Sequence, residues 1–339
     1  ASVGFPAPPG AISVSQKTLI DLEPENAAIF GEAEYALTSK LGLIFGGRYD
    51  YEEQAFTSNV TTTASAPVPP GALPPNQTQE SSTNYDAFLP KLGVVYDWES
   101  NISTSLTVQR GYRAGGSQQN TLTGVVSEFD PEFTWNYELR SLLLEGKLTA
   151  NANIFYTEWE DQQVNVQGPS GLSIDFQTVN AGKSRLYGGE LMLEYRPTSK
   201  WDLFASVGHA NTEFLRFVDN GEDFSGNEFP NAPEWTAAAG ASHFFTSGWE
   251  AHADVSYTDN SFSFADNNPA TGADSRFLAN ARVGYRHNSW AVFGYVRNLF
   301  DKDYVTQSTV AGAGRVGLNT AKVRTGEPRT VGIIATVYF

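Results

Sequence analysis

The 339-residue sequence has no cysteine, which excludes disulfide cross-links and thiolate sites for zinc or iron–sulfur clusters. Charge is scarce: Asp, Glu, Lys and Arg together make 18%, against about 25% in an average soluble domain. No apolar run approaches the ~18 residues a helix needs to cross a bilayer, and the mean hydropathy is negative. Lys and Arg are outnumbered 22 to 38 by acids, a net charge of −16, which argues against a nucleic-acid partner because phosphates require a basic face. Ala1 opens no charged-then-apolar leader of the secretory kind, so the reading is that a leader was removed or that the sequence begins mid-protein.

Aromatic residues, by contrast, are plentiful: 22 Phe, 15 Tyr and 7 Trp, a composition that argues against disorder. They sit in segments that alternate apolar and polar with period two, the mark of a strand with two unlike faces. Trp249, Ala251, Ala253, Val255 and Tyr257 oppose Glu250, His252, Asp254, Ser256 and Thr258. Phe277, Ala279, Ala281, Val283 and Tyr285 oppose Arg276, Asn280, Arg282 and Arg286. The pattern predicts about 13 strands, near 27–38, 41–56, 84–98, 102–113, 133–144, 148–165, 184–196, 201–217, 233–245, 249–264, 275–286, 290–300 and 328–339.

Two further features favour a membrane barrel over a soluble sandwich. Connections alternate between short turns, such as Thr246-Ser247-Gly248 and His287-Asn288-Ser289, and long Gly-, Asn- and Pro-rich stretches near 57–83, 114–132, 166–183, 218–232, 265–274 and 301–327. Short turns at one end and long loops at the other describe an outer-membrane barrel. Trp98, Trp201, Trp249 and Trp290 lie beside the short turns, and Tyr35, Tyr96, Tyr195 and Tyr285 just before them, as an interfacial girdle requires. The expected fold is all-β: a transmembrane antiparallel up-and-down β-barrel of the outer-membrane type. Residues 1–26 read as an extracellular loop or the end of a preceding strand, and 27–339 as the C-terminal part of the barrel. Because complete bacterial barrels have an even strand count, 13 implies either a missing first part or a fourteenth strand over 12–22. The first alternative is preferred, because 1–11 is rich in Pro and Gly.

Several motifs, in order and spacing, resemble TonB-dependent receptors. Asn298-Leu299-Phe300-Asp301-Lys302-Asp303-Tyr304, then Gly326-Glu327-Pro328-Arg329-Thr330-Val331-Gly332 and the terminal Phe339, are similar to the end of that family. Arg110-Gly111-Tyr112-Arg113-Ala114-Gly115-Gly116 resembles a run at the outer end of a strand. Asp130-Pro131-Glu132 with Asn136-Tyr137-Glu138-Leu139, and Asn180-Ala181-Gly182-Lys183-Ser184 with Tyr187-Gly188-Gly189-Glu190-Leu191, complete the match over 27–339. The resemblance implies a 22-stranded barrel of which this chain would hold roughly the last 13, without the plug domain and the TonB-contacting box. It implies import of a scarce nutrient, with a ferric siderophore as the default small-molecule substrate. The implied partners are outer-membrane lipids with lipopolysaccharide, and the TonB complex reached through a plug absent from this chain. The place is the cell outer membrane. A passive 14-stranded porin or adhesion barrel is the alternative.

The candidate substrate-binding residues are Arg110, Tyr112, Arg113, Gln118 and Gln119 at an outer strand end, with Arg276, Arg282 and Arg297 on the polar face, where guanidinium groups suit an anionic ligand. Each has a structural counterpart: a corner in the first group and, in the second, which shares its face with Arg286, pairing with lumen acids such as Glu250 and Asp254 or with acids of a plug. Asp219, Asn220, Glu222 and Asp223 lack calcium-loop spacing and read as solvated loop charge. His209 and His243 fall on the apolar face, His252 on the polar face and His287 in a turn, without metal-ligand spacing. Ile44, Phe155, Met192 and Phe204 point inward by parity. No catalytic constellation, metal site or cofactor motif is found, so an enzyme is not expected.

Overall fold

The computed structural model describes residues 14–69, 76–120, 125–167, 176–311 and 320–338. Thirteen strands form one antiparallel sheet in which each pairs only with its neighbours in sequence. They are β1 (Val14–Ala36), β2 (Leu41–Ala64), β3 (Gln77–Glu99), β4 (Ile102–Arg113), β5 (Glu132–Glu145), β6 (Leu148–Gln167), β7 (Phe176–Tyr195), β8 (Trp201–Arg216), β9 (Trp235–Phe244), β10 (Trp249–Thr258), β11 (Arg276–Arg286), β12 (Trp290–Arg297) and β13 (Thr330–Val337). Among the described residues the barrel does not close, because β1 and β13 are not paired with each other.

The expected strands are there, but several extend beyond the membrane band. β1 starts at Val14 rather than 27, and its outer half pairs with β2 from Val14 opposite Ala64 to Leu22 opposite Phe56. Residues 14–26 are therefore strand, not loop, and no separate strand forms over 14–22; residues 1–13 lie outside the described residues, as does Phe339. The stretch 57–83 was expected as loop, yet β2 runs to Ala64 and β3 starts at Gln77. The reason is local: 57–63 carries four Thr and one Val, whose β-branched side chains favour extended backbone. Phe56, Ser58 and Val60 are also buried on alternate positions. β7 likewise begins at Phe176, inside an expected loop, while β10 ends at Thr258 and hands over to a two-residue ribbon, Ser261–Phe262 with Gly272–Ala273.

Alternation sorts the two faces. Phe45, Leu92, Val108, Tyr137, Tyr156 and Tyr187 stand opposite one another across β2 to β7, a continuous apolar row that covers the hydrocarbon-facing side. Ile154 is 62% exposed and Ile333 78%, values that a protein interior would not tolerate but that lipid solvates. Near the short turns, rings touch along the sheet. Trp201, His243 and Phe245 form one run, with centroids 4.3 Å apart at each step; Trp249, Tyr285 and Trp290 form another, at 5.9 and 5.6 Å. This is the expected girdle, and it places His243 within it.

On the concave face a repeated device keeps the wall smooth. Phe155 lies opposite Gly188, Phe204 opposite Gly240, Phe293 opposite Gly284 and Tyr295 opposite Gly332. A Cβ on any of these four glycines would overlap the facing ring. The missing side chain lets each aromatic lie flat over its neighbour strand, and the ring covers the exposed glycine backbone in return. Phe155 and Phe204 thus point inward as their parity predicts.

Candidate functional site

A buried apolar core lies at the loop end of the concave face. Val164, Val166, Ala181, Phe214, Phe217, Phe229 and Ala265 form it, and Phe214 is wholly inaccessible. Backbone geometry at one residue makes it. Along β6 the buried parity is odd as far as Thr157 and even at Gln162, Val164 and Val166. Between them Asp161 has φ of 52°, a left-handed conformation that rotates the following side chains to the other parity. Phe214 then packs on Phe217 and Phe229, with centroids 5.0 and 4.8 Å away.

Above this core opens a cavity of about 710 Å3, within the range of small-molecule sites. Six separate segments build it. β6 supplies Trp159, Gln162, Gln163 and Asn165, and β7 supplies Phe176 and Gln177; Phe229 to Ala232 come from the loop after β8, Ser263 and Phe264 from the loop after β10. Gln307 belongs to a ribbon of Val305–Ala311 with Thr320–Thr325, and Gln118 to a ribbon of Gly116–Gln119 with Val126–Phe129. Phe176 and Phe264 stack nearly parallel, 15° between planes and 5.7 Å between centroids; Trp159 meets Phe229 edge to face at 6.0 Å. Among the described residues no charged side chain lines the cavity.

The ribbon that carries Gln118 crosses the concave face as a strap. On one side Ser58 of β2 donates to Gln119 and Ser117 bonds Ser81 of β3 at 3.2 Å. On the other, Gln118 clamps the backbone of Thr178 in β7, donating to its carbonyl and accepting from its N–H, both at 2.7 Å. Gln118 and Gln119 therefore act as ties, and of the candidate residues only Gln118 reaches the cavity.

The remaining candidates sit elsewhere. Arg113 pairs with buried Glu132 at 3.0 Å; Glu132 also accepts from the Gln163 N–H at 2.6 Å. Asn180 binds the backbone of Asp130 in both directions, at 2.8 and 2.9 Å, so the Arg110, Asp130 and Asn180 motifs converge on one corner. Arg110 covers the Phe133 ring at 4.2 Å, which Tyr112 also contacts, and Tyr112 with Arg113 edges a separate cavity of about 350 Å3 beside Asp50 and Glu52. The Tyr112 hydroxyl is buried there without a hydrogen-bond partner among the described residues.

Arg276, Arg282 and Arg297 lie over the rings of Tyr304, Phe293 and Tyr295, at 5.6, 5.2 and 5.5 Å. Of the arginines on this face, Arg286 makes the expected pair with Glu250, at 2.6 Å, while Asp254 accepts from Asn280 at 2.7 Å and none of Arg276, Arg282 and Arg297 pairs with either acid among the described residues. Arg282 and Arg297 instead line a cavity of about 380 Å3 on the concave wall. The acidic residues at 219–223 form a tight hairpin, in which hydrogen bonds from Ser225 lower the Asp223 carboxyl. Asn298, at φ 47°, ties its loop together by donating to the carbonyls of Lys302 and Glu327, and Asp301 pairs with Arg329 at 3.3 Å.

The best-formed site thus includes residues that the sequence reading passed over: Trp159, Gln162, Phe176, Phe229 and Phe264. A signal existed. Four Phe fall within 214–229, more apolar surface than a solvated strand end and loop would carry.

Comparison with known proteins gives the same frame. The profile of the family described as TonB dependent receptor-like, beta-barrel, matches residues 4–299. The pesticin receptor of Yersinia pestis is 26% identical over 268 residues, covering 77% of this chain and 37% of the receptor. A probable TonB-dependent siderophore receptor, PiuA of Acinetobacter baumannii, is 23% identical over 85% of this chain and 38% of its own length. The crystal structure of the ferric yersiniabactin uptake receptor FyuA from Yersinia pestis superposes with a TM-score of 0.79 at 21% identity, over 100% of this chain and 49% of that one. The chain spans under two fifths of these curated relatives and about half of that solved chain.

Proposed function

This chain belongs to the TonB-dependent receptor-like β-barrel family of the outer membrane, and from that premise we propose that it is the C-terminal portion of a receptor barrel importing an iron–siderophore complex. The observation that carries the proposal is the aromatic and amide cavity at the loop end of the concave wall, assembled by six segments over its own core. A wall with a lipid-facing exterior needs no such core to stand in a membrane; a loop-end site that must hold its shape in water does. Relatives named for siderophore uptake share the fold.

In this reading the 13 strands are part of a 22-stranded barrel, and β1 and β13 find their partners in the remaining strands. Ligand binds at the outer mouth, a plug domain fills the lumen beside the Arg282 and Arg297 wall, and TonB acts on that plug. Lipid meets the outward apolar row, and lipopolysaccharide meets its outer rim. Uptake of radioiron by the source bacterium with and without the gene tests the function. Loss of uptake from at least one ferric chelate is expected; equal uptake from every ferric chelate supplied would overturn it.

A further inference from the structure

We propose that the outer-mouth cavity holds a pyranose ring of the substrate, and that Gln177, Asn231 and Gln307, with the Phe176 and Phe264 pair, recognise it. The inference rests on the receptor reading and names the chemistry of what that same cavity takes. The ring arrives as a glycosyl substituent of a ferric chelate or as a free sugar, and uptake separates the two.

Two features of the wall meet in that chemistry. The first is its amides. Seven of the fifteen described residues that line the cavity are Asn or Gln, and they divide by role. Gln118, Gln163 and Asn165 hold the scaffold: Gln118 clamps Thr178, Gln163 donates to the Ala114 and Asp130 carbonyls, and Asn165 accepts from the Thr178 hydroxyl at 2.9 Å. Gln177, Asn231 and Gln307 do not. Asn231 is exposed and the other two are half-buried, so a ligand can reach them, and their side chains make no hydrogen bond among the described residues. Their backbones are nevertheless fixed. Gln177 stands opposite Val166 in the ladder of β6 and β7, Gln307 opposite Arg324 in its ribbon, and the Asn231 N–H donates to the Phe262 carbonyl at 2.7 Å. Three open amides on three fixed segments form a prepared polar rim. An amide offers donors and an acceptor side by side, and a hydroxyl is donor and acceptor at once. Neighbouring hydroxyls on one sugar therefore engage both ends of an amide.

The second feature is the flat wall beside those amides. Phe176 and Phe264 lie 15° apart in plane, and both are half-buried, which leaves ring surface open to the cavity. The face of an aromatic ring is negative, and the C–H groups on one face of a pyranose are weak donors to it. A pyranose is apolar on that face and hydroxylated along its edge. Rings on one side with amides around them complement that shape.

The test applies the intact protein, purified from the outer membrane of the source bacterium in a sugar-free detergent, to an array of immobilised pyranosides. Hexosides, deoxyhexosides, pentosides and N-acetylhexosaminides are included, with neutral peptides as controls. At least one pyranoside is expected to retain the protein, with release by the same sugar in solution. Gln177→Leu and Gln307→Leu should each weaken retention about threefold to tenfold. Phe264→Leu should weaken it to a similar extent, whereas Phe264→Tyr, which keeps the ring, should not. Unchanged protease resistance of the 217–232 loop shows that the variants keep the cavity.

Retention by no pyranoside overturns the inference, as does retention by the control peptides in their place, or full retention of all three weakened variants. Uptake by the source bacterium and its deletion strain then identifies the source. Gene-dependent radioiron uptake that favours glycosylated over unglycosylated ferric chelates places the ring on a chelate. Gene-dependent uptake of the retained sugar alone makes it a free solute, and the iron reading falls while the inference stands. A retained sugar taken up in neither form is no substrate, which overturns the inference. Gene-dependent iron uptake with no pyranoside retained sinks the inference and leaves the receptor reading intact.

Discussion

Two regions of this molecule solve the same problem with different solvents. The wall between the turns and the loops has no interior of its own: its apolar residues, Ile154, Leu191 and Val283 among them, are exposed on the outer face. Lipid completes them, and the hydrogen-bonded ladder supplies the order. The cap at the loop end stands in water, and it has built a core around Phe214, Phe217 and Phe229. A single chain therefore reads as a membrane protein across the body of the sheet and as a small soluble domain at its loop end, where the longer strands and the loops meet. The cavity belongs to the cap, since only a packed core holds side chains from six segments in register.

The largest expected effect tests whether the cap is an independent unit. Phe214→Ala removes a wholly buried ring and should cost about 3–5 kcal/mol in local stability. The 217–232 loop should become protease-sensitive and the cavity should be lost, while the barrel keeps its heat-modifiable mobility on a gel. Loss of the barrel itself would show that the two regions fold as one. The reciprocal change is Ile154→Arg, which puts a charge on the lipid face and should cost about 2–4 kcal/mol near the bilayer middle. There the barrel's resistance to urea in vesicles should fall with the protease pattern of the cap unchanged. A third substitution probes the concave wall. Gly240→Val would drive a side chain into the flat-lying Phe204 ring, at about 1–3 kcal/mol; Gly240→Val with Phe204→Ala should recover part of the loss in a urea titration.

The same division explains what could be read from the sequence. Strand positions, the two faces and the girdle were legible because lipid imposes a strict period of two and places Trp249 or Trp290 beside each turn. The cap was not. Its strands continue into Thr-rich segments that look like loop, and Asp161 reverses the parity of β6 between Thr157 and Gln162, a change that no alternation count foresees. Arginines drew attention as anion binders, but Arg110, Arg276, Arg282 and Arg297 lie over aromatic rings and Arg113 pairs with a buried carboxylate. Such partners join across strands, and composition does not disclose them. The Arg113, Asp130 and Asn180 motifs that carried the family resemblance turn out to bind one another, so they report the shape of a corner rather than the chemistry of a substrate.

The smallest effect concerns pH and separates the regions again, because it acts on the cap alone. Glu228 lies beside the core residue Phe229, and its loop is clamped to Asn267 through two backbone bonds of 2.6 and 3.0 Å. Partial burial, and then the nearby Glu234 and Asp259 carboxylates, raise its carboxyl above the usual range. A carboxyl raised in the folded state is disfavoured there when ionised, so its contribution is fully present below the unfolded value, about 4.3, and is lost as pH rises through the folded value. Acidification from pH 7 should therefore tighten the loop slightly, and Glu228→Gln should do the same at pH 7 without any change of pH. The side chain is largely at the surface, so the difference should be small and should fade as pH falls through the unfolded value. Rates of loop cleavage at pH 7 and pH 4 in the two proteins measure it. Faster cleavage of the Gln variant at pH 7 would mean that Glu228 is held as a favourable anion, and the cap would then contain a cation partner that its packing does not reveal.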